Sequence, residues 1–139
     1  MNERFQQSWH SFMSLPLWVQ VWVGLVLIPV NAASFFLLDY WSGQMAALAA
    51  AFVVATNIPI MLVERGMSKL MAIPHLFAWG PLTVFLVLRL WDHSIMPKIA
   101  PVEQAYAVVL ITVNGISLVF DALDSWRWIK GDRAAPRPV

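Results

Sequence analysis

Asn114, Ser117, Asp121 and Asp124 recur at i, i+3, i+7 and i+10. That spacing puts an amide, a hydroxyl and two carboxylates on one face of an α-helix. A second polar line runs through Gln20, Gly24, Asn31 and Ser34, and a third joins Asn57 to Glu64, seven residues on. His75, Thr83 and Arg89 add polar groups that share no single helical face. The side chains admit two chemistries. Asparagine amides between apolar helices hydrogen-bond across the interface and set its register. Alternatively, Asn31, Asn57, Asn114 and Ser117 line a polar seam for an ion, water or small solute. Asparagine is uncharged at every relevant pH, so the seam alone cannot relay protons.

Below the seam lie Glu64, His75, Asp121 and Asp124, close to Arg65, Lys69 and Arg127. Paired with these cations, the acids form a structural collar; facing inward unpaired, they form an acidic mouth that binds cations or a proton. Asp124 and Arg127 are three apart, and such a pair can form along one helix. At the other end stand Asp39, Arg89, Asp92, His93, Lys98 and Glu103. Asp39 and Arg89 are expected to pair across adjacent helix ends. Asp92, His93 and Glu103 lack a diagnostic metal-ligand spacing, and His10 and His75 lack a third ligand, so no metal is expected. No phosphate-binding glycine loop, serine elbow or paired-histidine zinc motif is present, and no catalytic residue or cofactor is assigned. With no cysteine, disulfides and thiolate chemistry are excluded.

The elements that position these groups are four stretches without formal charge, 5–38, 40–63, 70–88 and 104–120. About 20 apolar residues span the hydrocarbon core of a bilayer as a helix. The 139 residues are 60% hydrophobic and only 12% charged, where a soluble domain carries about 25% charged residues. The fold class expected is an all-α integral membrane protein, a bundle of four transmembrane helices over about 16–38, 44–63, 74–91 and 102–126. Residues 1–15 carry Phe5, Trp9, Phe12 and Met13 at helical spacing and read as a short amphipathic interfacial helix. Residues 127–139 read as a basic disordered tail. The opening Met1-Asn2-Glu3-Arg4 has little positive charge and precedes a long apolar run, so the first span is expected to be retained rather than cleaved as a signal peptide.

Lysine and arginine orient the chain. Arg4, Arg65, Lys69, Arg127, Lys130, Arg133 and Arg137 fall on one side, and only Arg89 and Lys98 on the other. By the positive-inside rule both termini are cytoplasmic, in a bacterial inner membrane. Trp18, Trp22, Trp126 and Trp128 then mark the inner interface, Trp41, Trp91, Tyr40 and Tyr106 the outer one, while Trp79 lies inside and packs. At about 1.5 Å per residue, Asn31, Asn114 and Asn57 lie roughly 10, 15 and 20 Å from the outer helix ends and are expected to form a ladder. Alanines at four-residue spacing, Ala46/Ala50 and Ala47/Ala51/Ala55, predict close packing of the second span. Pro29, Pro59 and Gly80-Pro81 lie within spans and could kink them.

The net charge of +1 gives no reason to expect nucleic acid as a partner. The expected surroundings are the lipid bilayer and either further copies of the chain or other membrane subunits. The leading functional reading is an accessory subunit of a membrane assembly. A second is an oligomeric channel or small-solute transporter using the polar seam. A third is a membrane enzyme acting on a lipidic substrate at the inner face through His75, Glu64 or the Asp121/Asp124 pair.

Overall fold

The computed structural model describes residues 2–136. Among them every regular element is helical. A short helix, α1 (Glu3–Met13), precedes four helices long and apolar enough to cross a membrane: α2 (Leu17–Phe36), α3 (Trp41–Glu64), α4 (Lys69–Trp91) and α5 (Pro101–Ile129). They run alternately up and down. The connections at one end are 37–40 and 92–100, and at the other 65–68, where α1 and residues 130–136 also lie.

Local chemistry accounts for the breaks. Asn2 caps α1 by accepting from the Arg4 N–H at 3.0 Å. In α2, Pro29 has no N–H, and its ring crowds the carbonyl four residues back. The turns before it widen to a π-helix over Trp22–Leu27, with the Ile28 N–H bonded to the Val23 carbonyl. By contrast, α3 passes Pro59 and α4 passes Pro81 without leaving helical geometry. α3 ends at Arg65, which is left-handed (φ 55°) and lets the Gly66 N–H reach the Met61 carbonyl.

The core joins Leu27 of α2, Ala46 and Val53 of α3, Trp79, Leu82 and Leu86 of α4, and Ala107, Leu110 and Val113 of α5. Ala46, Ala47 and Ala50 are buried, whereas Ala51 and Ala55 face out, so one alanine row carries the close contact. Trp79 is buried, as its place inside the span predicts. Trp22 and Tyr106, expected at the interfaces, each have a hydrogen-bond partner within the bundle. Trp22 Nε1 donates to Ser117 Oγ at 2.9 Å, and the Tyr106 hydroxyl donates to the Val30 carbonyl at 2.8 Å. A polar tip with a partner across the bundle draws an aromatic ring inward. Only 17–33% of each helix's apolar window is buried. Leu25, Phe36, Leu48, Val63, Phe77 and Trp91 point outward.

α1 docks by its small polar residues. Ser8 Oγ lies 3.1 Å from the Met61 carbonyl, and Ser11 Oγ accepts from the Met67 N–H at 2.9 Å and donates to the Pro136 carbonyl. Its apolar stripe, Phe5, Trp9 and Met13, is left exposed. Residues 130–136 fold back on this end, with Lys69 Nζ 3.4 Å from Asp132 and the Arg133 guanidinium over the Trp128 ring. Residues 137–139, including Arg137, lie outside the described residues.

Gly43 sets the closest approach between α3 and the turn before it. A Cβ there would stand 1.9 Å from the Leu37 carbonyl oxygen, a backbone atom that cannot swing aside. Gly43→Ala should lower stability by about 1–3 kcal/mol, the usual range for overpacking. Reversible unfolding in mixed micelles checks this, with the exposed Ala51→Gly as the control for helix propensity.

Candidate functional site

Polar side chains inside the bundle gather in three places, each attached to the buried stripe of α5. Midway along, Asn31 and Asn114 form a reciprocal amide pair. Asn31 Nδ2 donates to Asn114 Oδ1 at 2.8 Å and Asn114 Nδ2 to Asn31 Oδ1 at 3.0 Å. Asn31 Nδ2 also reaches the Leu27 carbonyl at 3.0 Å, beside the π-helical turns. Both residues are buried. Each amide thus donates once to the other and accepts once from it, which ties α2 to α5. Ser117 is likewise engaged, by Trp22.

At the end away from α1, Glu103 is only 4% exposed. It accepts from the Ser42 N–H at 3.1 Å, the Ser42 hydroxyl at 2.7 Å and Arg89 Nη2 at 3.3 Å. The Arg89 guanidinium also lies over the Trp41 ring, 4.9 Å from its centre. The partner of Arg89 is thus Glu103 rather than the expected Asp39. Asp92 is spent locally: the Ser94 hydroxyl and N–H donate to it at 2.6 and 2.9 Å, and the Ser94 hydroxyl chiefly holds its carboxyl below the usual range. Among the described residues, no group of three or more histidine and acidic side chains is placed to hold a metal ion.

The third cluster has the richest chemistry. Asn57 Nδ2 lies 2.7 Å from His75 Nε2, and His75 Nδ1 lies 3.1 Å from Asp121 Oδ1. Donors and acceptors match when the neutral imidazole carries its proton on Nδ1, giving it to the carboxylate while Nε2 accepts from the amide. One turn along α4, Trp79 stacks under the imidazole with ring centres 4.4 Å apart and planes 19° from parallel. Asn57 is 93% buried (7% exposed), and the side chains of His75 and Asp121 are 16% and 13% exposed. The chain therefore links α3, α4 and α5 roughly 10 Å in from their ends, counting residues from Glu64 and Ile129.

Buried polar atoms without a partner concentrate here. Asn57 Oδ1, Asp121 Oδ2, Trp79 Nε1 and Ser125 Oγ are four of the six such side-chain atoms among the described residues. Ser125 is one turn beyond Asp121 on α5. Unused buried hydrogen-bonding capacity is costly and points to a working site. Two acceptors and a donor around an imidazole can receive a proton or a small polar group.

The asparagines expected in one ladder thus separate: Asn31 binds Asn114, and Asn57 binds His75. Of the mouth residues, His75 and Asp121 meet directly. Asp124 instead pairs with Arg127 at 3.6 Å, and Lys69 with Asp132, so neither Arg127 nor Lys69 is the partner of Asp121. Glu64 closes α3. Sequence reasoning did not single out Trp79 and Ser125 for this site, although each lies four residues from a member of it. Comparison of the chain with protein-family models, curated proteins and solved structures finds no match.

The amide pair is separable by mutation. Asn31→Leu and Asn114→Leu should each cost about 1–3 kcal/mol, because the surviving amide stays buried and unsatisfied. The double substitution should recover most of one penalty. A double-mutant cycle from detergent unfolding reads this, and strictly additive losses would show that the two amides act independently.

Proposed function

We propose that this chain is a small integral protein of the bacterial inner membrane that acts as a proton-responsive accessory subunit of a membrane assembly. It crosses four times with both termini in the cytoplasm. The observation that carries the reading is His75, held between the Asn57 amide and the Asp121 carboxylate inside the bundle. Ionisable groups buried among membrane helices mark working sites by default. The neutral ring uses the Asn57 N–H. A ring protonated on Nε2 needs an acceptor there, and rotating the Asn57 amide supplies Oδ1, which otherwise has no partner. Both charge states thus find hydrogen bonds, and the exchange reorients a side chain of α3.

The apolar outer surface and the basic end support insertion and orientation. Arg4, Arg65, Lys69, Arg127, Lys130 and Arg133 collect at the α1 end, and Arg89 and Lys98 at the other. The outward stripe Phe5, Trp9 and Met13 suits a helix lying on the headgroup layer. The reciprocal Asn31–Asn114 pair favours a subunit over a conduit through a single copy.

Imidazole ¹⁵N spectra of protein in bilayer discs test the site. The neutral ring should show the Nδ1–H tautomer, and the Asn57 amide signal should move in the same step as any second protonation of the ring. An Asn57 signal that stays in place while the ring changes form would refute proton response. In liposomes the protein should pass no protons or ions; a flux abolished by Asp121→Asn would replace the subunit reading with a conduit.

Topology has its own test. A reporter fused after Val139 should be active in the cytoplasm and one inserted beside Met96 in the periplasm. The opposite pattern would invert the orientation.

A further inference from the structure

A groove of about 300 Å³ runs between α3 and α4 on the outside of the bundle. Its floor is small, with Ala49 and Ala78, and its walls include Leu48, Phe52, Phe77 and Phe85. These side chains are apolar, and Leu48, Phe52, Phe77 and Phe85 remain well exposed. Along α3 the lining spans Trp41 to Phe52, roughly 16 Å at the helical rise. That is close to half of the ~30 Å hydrocarbon core, the depth of one leaflet.

The two ends of the groove differ. Toward the middle of the bundle its last lining residues are Phe52 on α3 and Phe77 on α4. At the end away from α1, its last lining residue on α3 is Trp41, and the Arg89 guanidinium lies over that ring. On α4, Arg89 continues the row Ala78, Leu82 and Phe85 that lines the groove, one turn past Phe85. A guanidinium has five N–H donors. Glu103 takes one from Nη2, and the buried Nε has no partner. The groove is thus an acyl-sized apolar channel with a planar, phosphate-matching cation at its headgroup end.

We infer that this groove is a phospholipid site, in which one acyl chain lies between α3 and α4 and the phosphodiester is held by Arg89. The occupant is a glycerophospholipid of the surrounding bilayer, in the leaflet opposite α1. The inference rests on the reading that the bundle is inserted in a membrane. Glu103 balances the charge of Arg89 and accepts from its Nη2, and the Nη1 N–H groups carry no bond to the described residues and are left for the phosphate. Bound lipid would also cover the exposed edge of the contact between α3 and α4, the two helices that carry Asn57 and His75.

The test uses the full chain in discs of phosphatidylethanolamine and phosphatidylglycerol. Lipid retained after gentle release is counted by native mass spectrometry, and a phospholipid with a photoreactive acyl chain maps contacts. A single lipid should stay with the wild type and crosslink to Leu48, Phe52, Phe77 or Phe85. Arg89→Gln and the groove-filling Ala49→Phe should each lose it. Glu103→Gln breaks the same ion pair but keeps the guanidinium, so it should retain the lipid. Equal loss in Glu103→Gln and Arg89→Gln would make the effect structural and overturn the site, as would crosslinks spread evenly over all four helices. Intermolecular protein crosslinks through Leu48 and Phe77 would overturn it in favour of a second copy. Carbonate extraction of native membranes is run in parallel. Release of the protein there defeats the membrane reading itself, whereas a retained protein without bound lipid defeats only the groove.

Discussion

The reciprocal amide bond between Asn31 and Asn114 sets the rotation of α5 about its own axis, and the other polar contacts of the bundle follow from that rotation. Between largely apolar helices, dispersion alone leaves many rotations nearly equal. A two-way amide pair tolerates one. With Asn114 turned to α2, the stripe of α5 places Glu103 against Ser42 and Arg89 at one end and Asp121 against His75 toward the other. A rotation that lost the pair would leave two buried amides unsatisfied and would carry both carboxylates out of reach of their partners.

Polar groups at the middle of the bundle bond one another, whereas those near one end keep spare capacity. Asn31, Asn114, Ser117 and Trp22 satisfy one another, whereas the Asn57–His75–Asp121 chain keeps unused acceptors and an unused indole donor beside it. The difference follows from geometry. Two amides are self-complementary, so within the pair each oxygen and each nitrogen gains a partner. An imidazole has one hydrogen-bonding group on each side, so its amide and carboxylate neighbours each retain spare capacity. That spare capacity is where the proposed proton response resides. The far end is organised differently, with Glu103 tying the starts of α3 and α5 to the end of α4 in a contact with structural duties on every side.

The polar contacts also account for which surfaces stay apolar. α1 docks through serines rather than through Phe5, Trp9 and Met13, since the N–H of Met67 at the turn after α3 needs a partner and Ser11 supplies it. Its aromatic stripe is thereby displayed on the same outer surface as the long apolar faces of α2 to α5. The groove between α3 and α4 arises from the same economy of size, because Ala49 and Ala78 sit opposite one another where larger residues flank them.

Much of this was legible from residue order alone. Apolar runs of span length separated by short charged segments determined the four long helices. The 3.6-residue period of Asn114, Ser117 and Asp121 determined that those three share the inward face of α5. The Asp124–Arg127 pair followed from spacing within one helix. Partner choice between helices did not follow. That Asn57 meets His75 rather than the other asparagines, that Arg89 meets Glu103 rather than Asp39, and that Trp22 and Tyr106 turn inward all depend on helix rotation and relative height. A sequence specifies which residues share a face within a helix, through a fixed local geometry. Which faces meet is a property of three-dimensional packing, where a π-helical stretch before Pro29 or a glycine at position 43 shifts the register between neighbours. Only the tertiary structure decided that the histidine, placed by sequence among the residues of a mouth, stands between Asn57 and Asp121 at the centre of the candidate site.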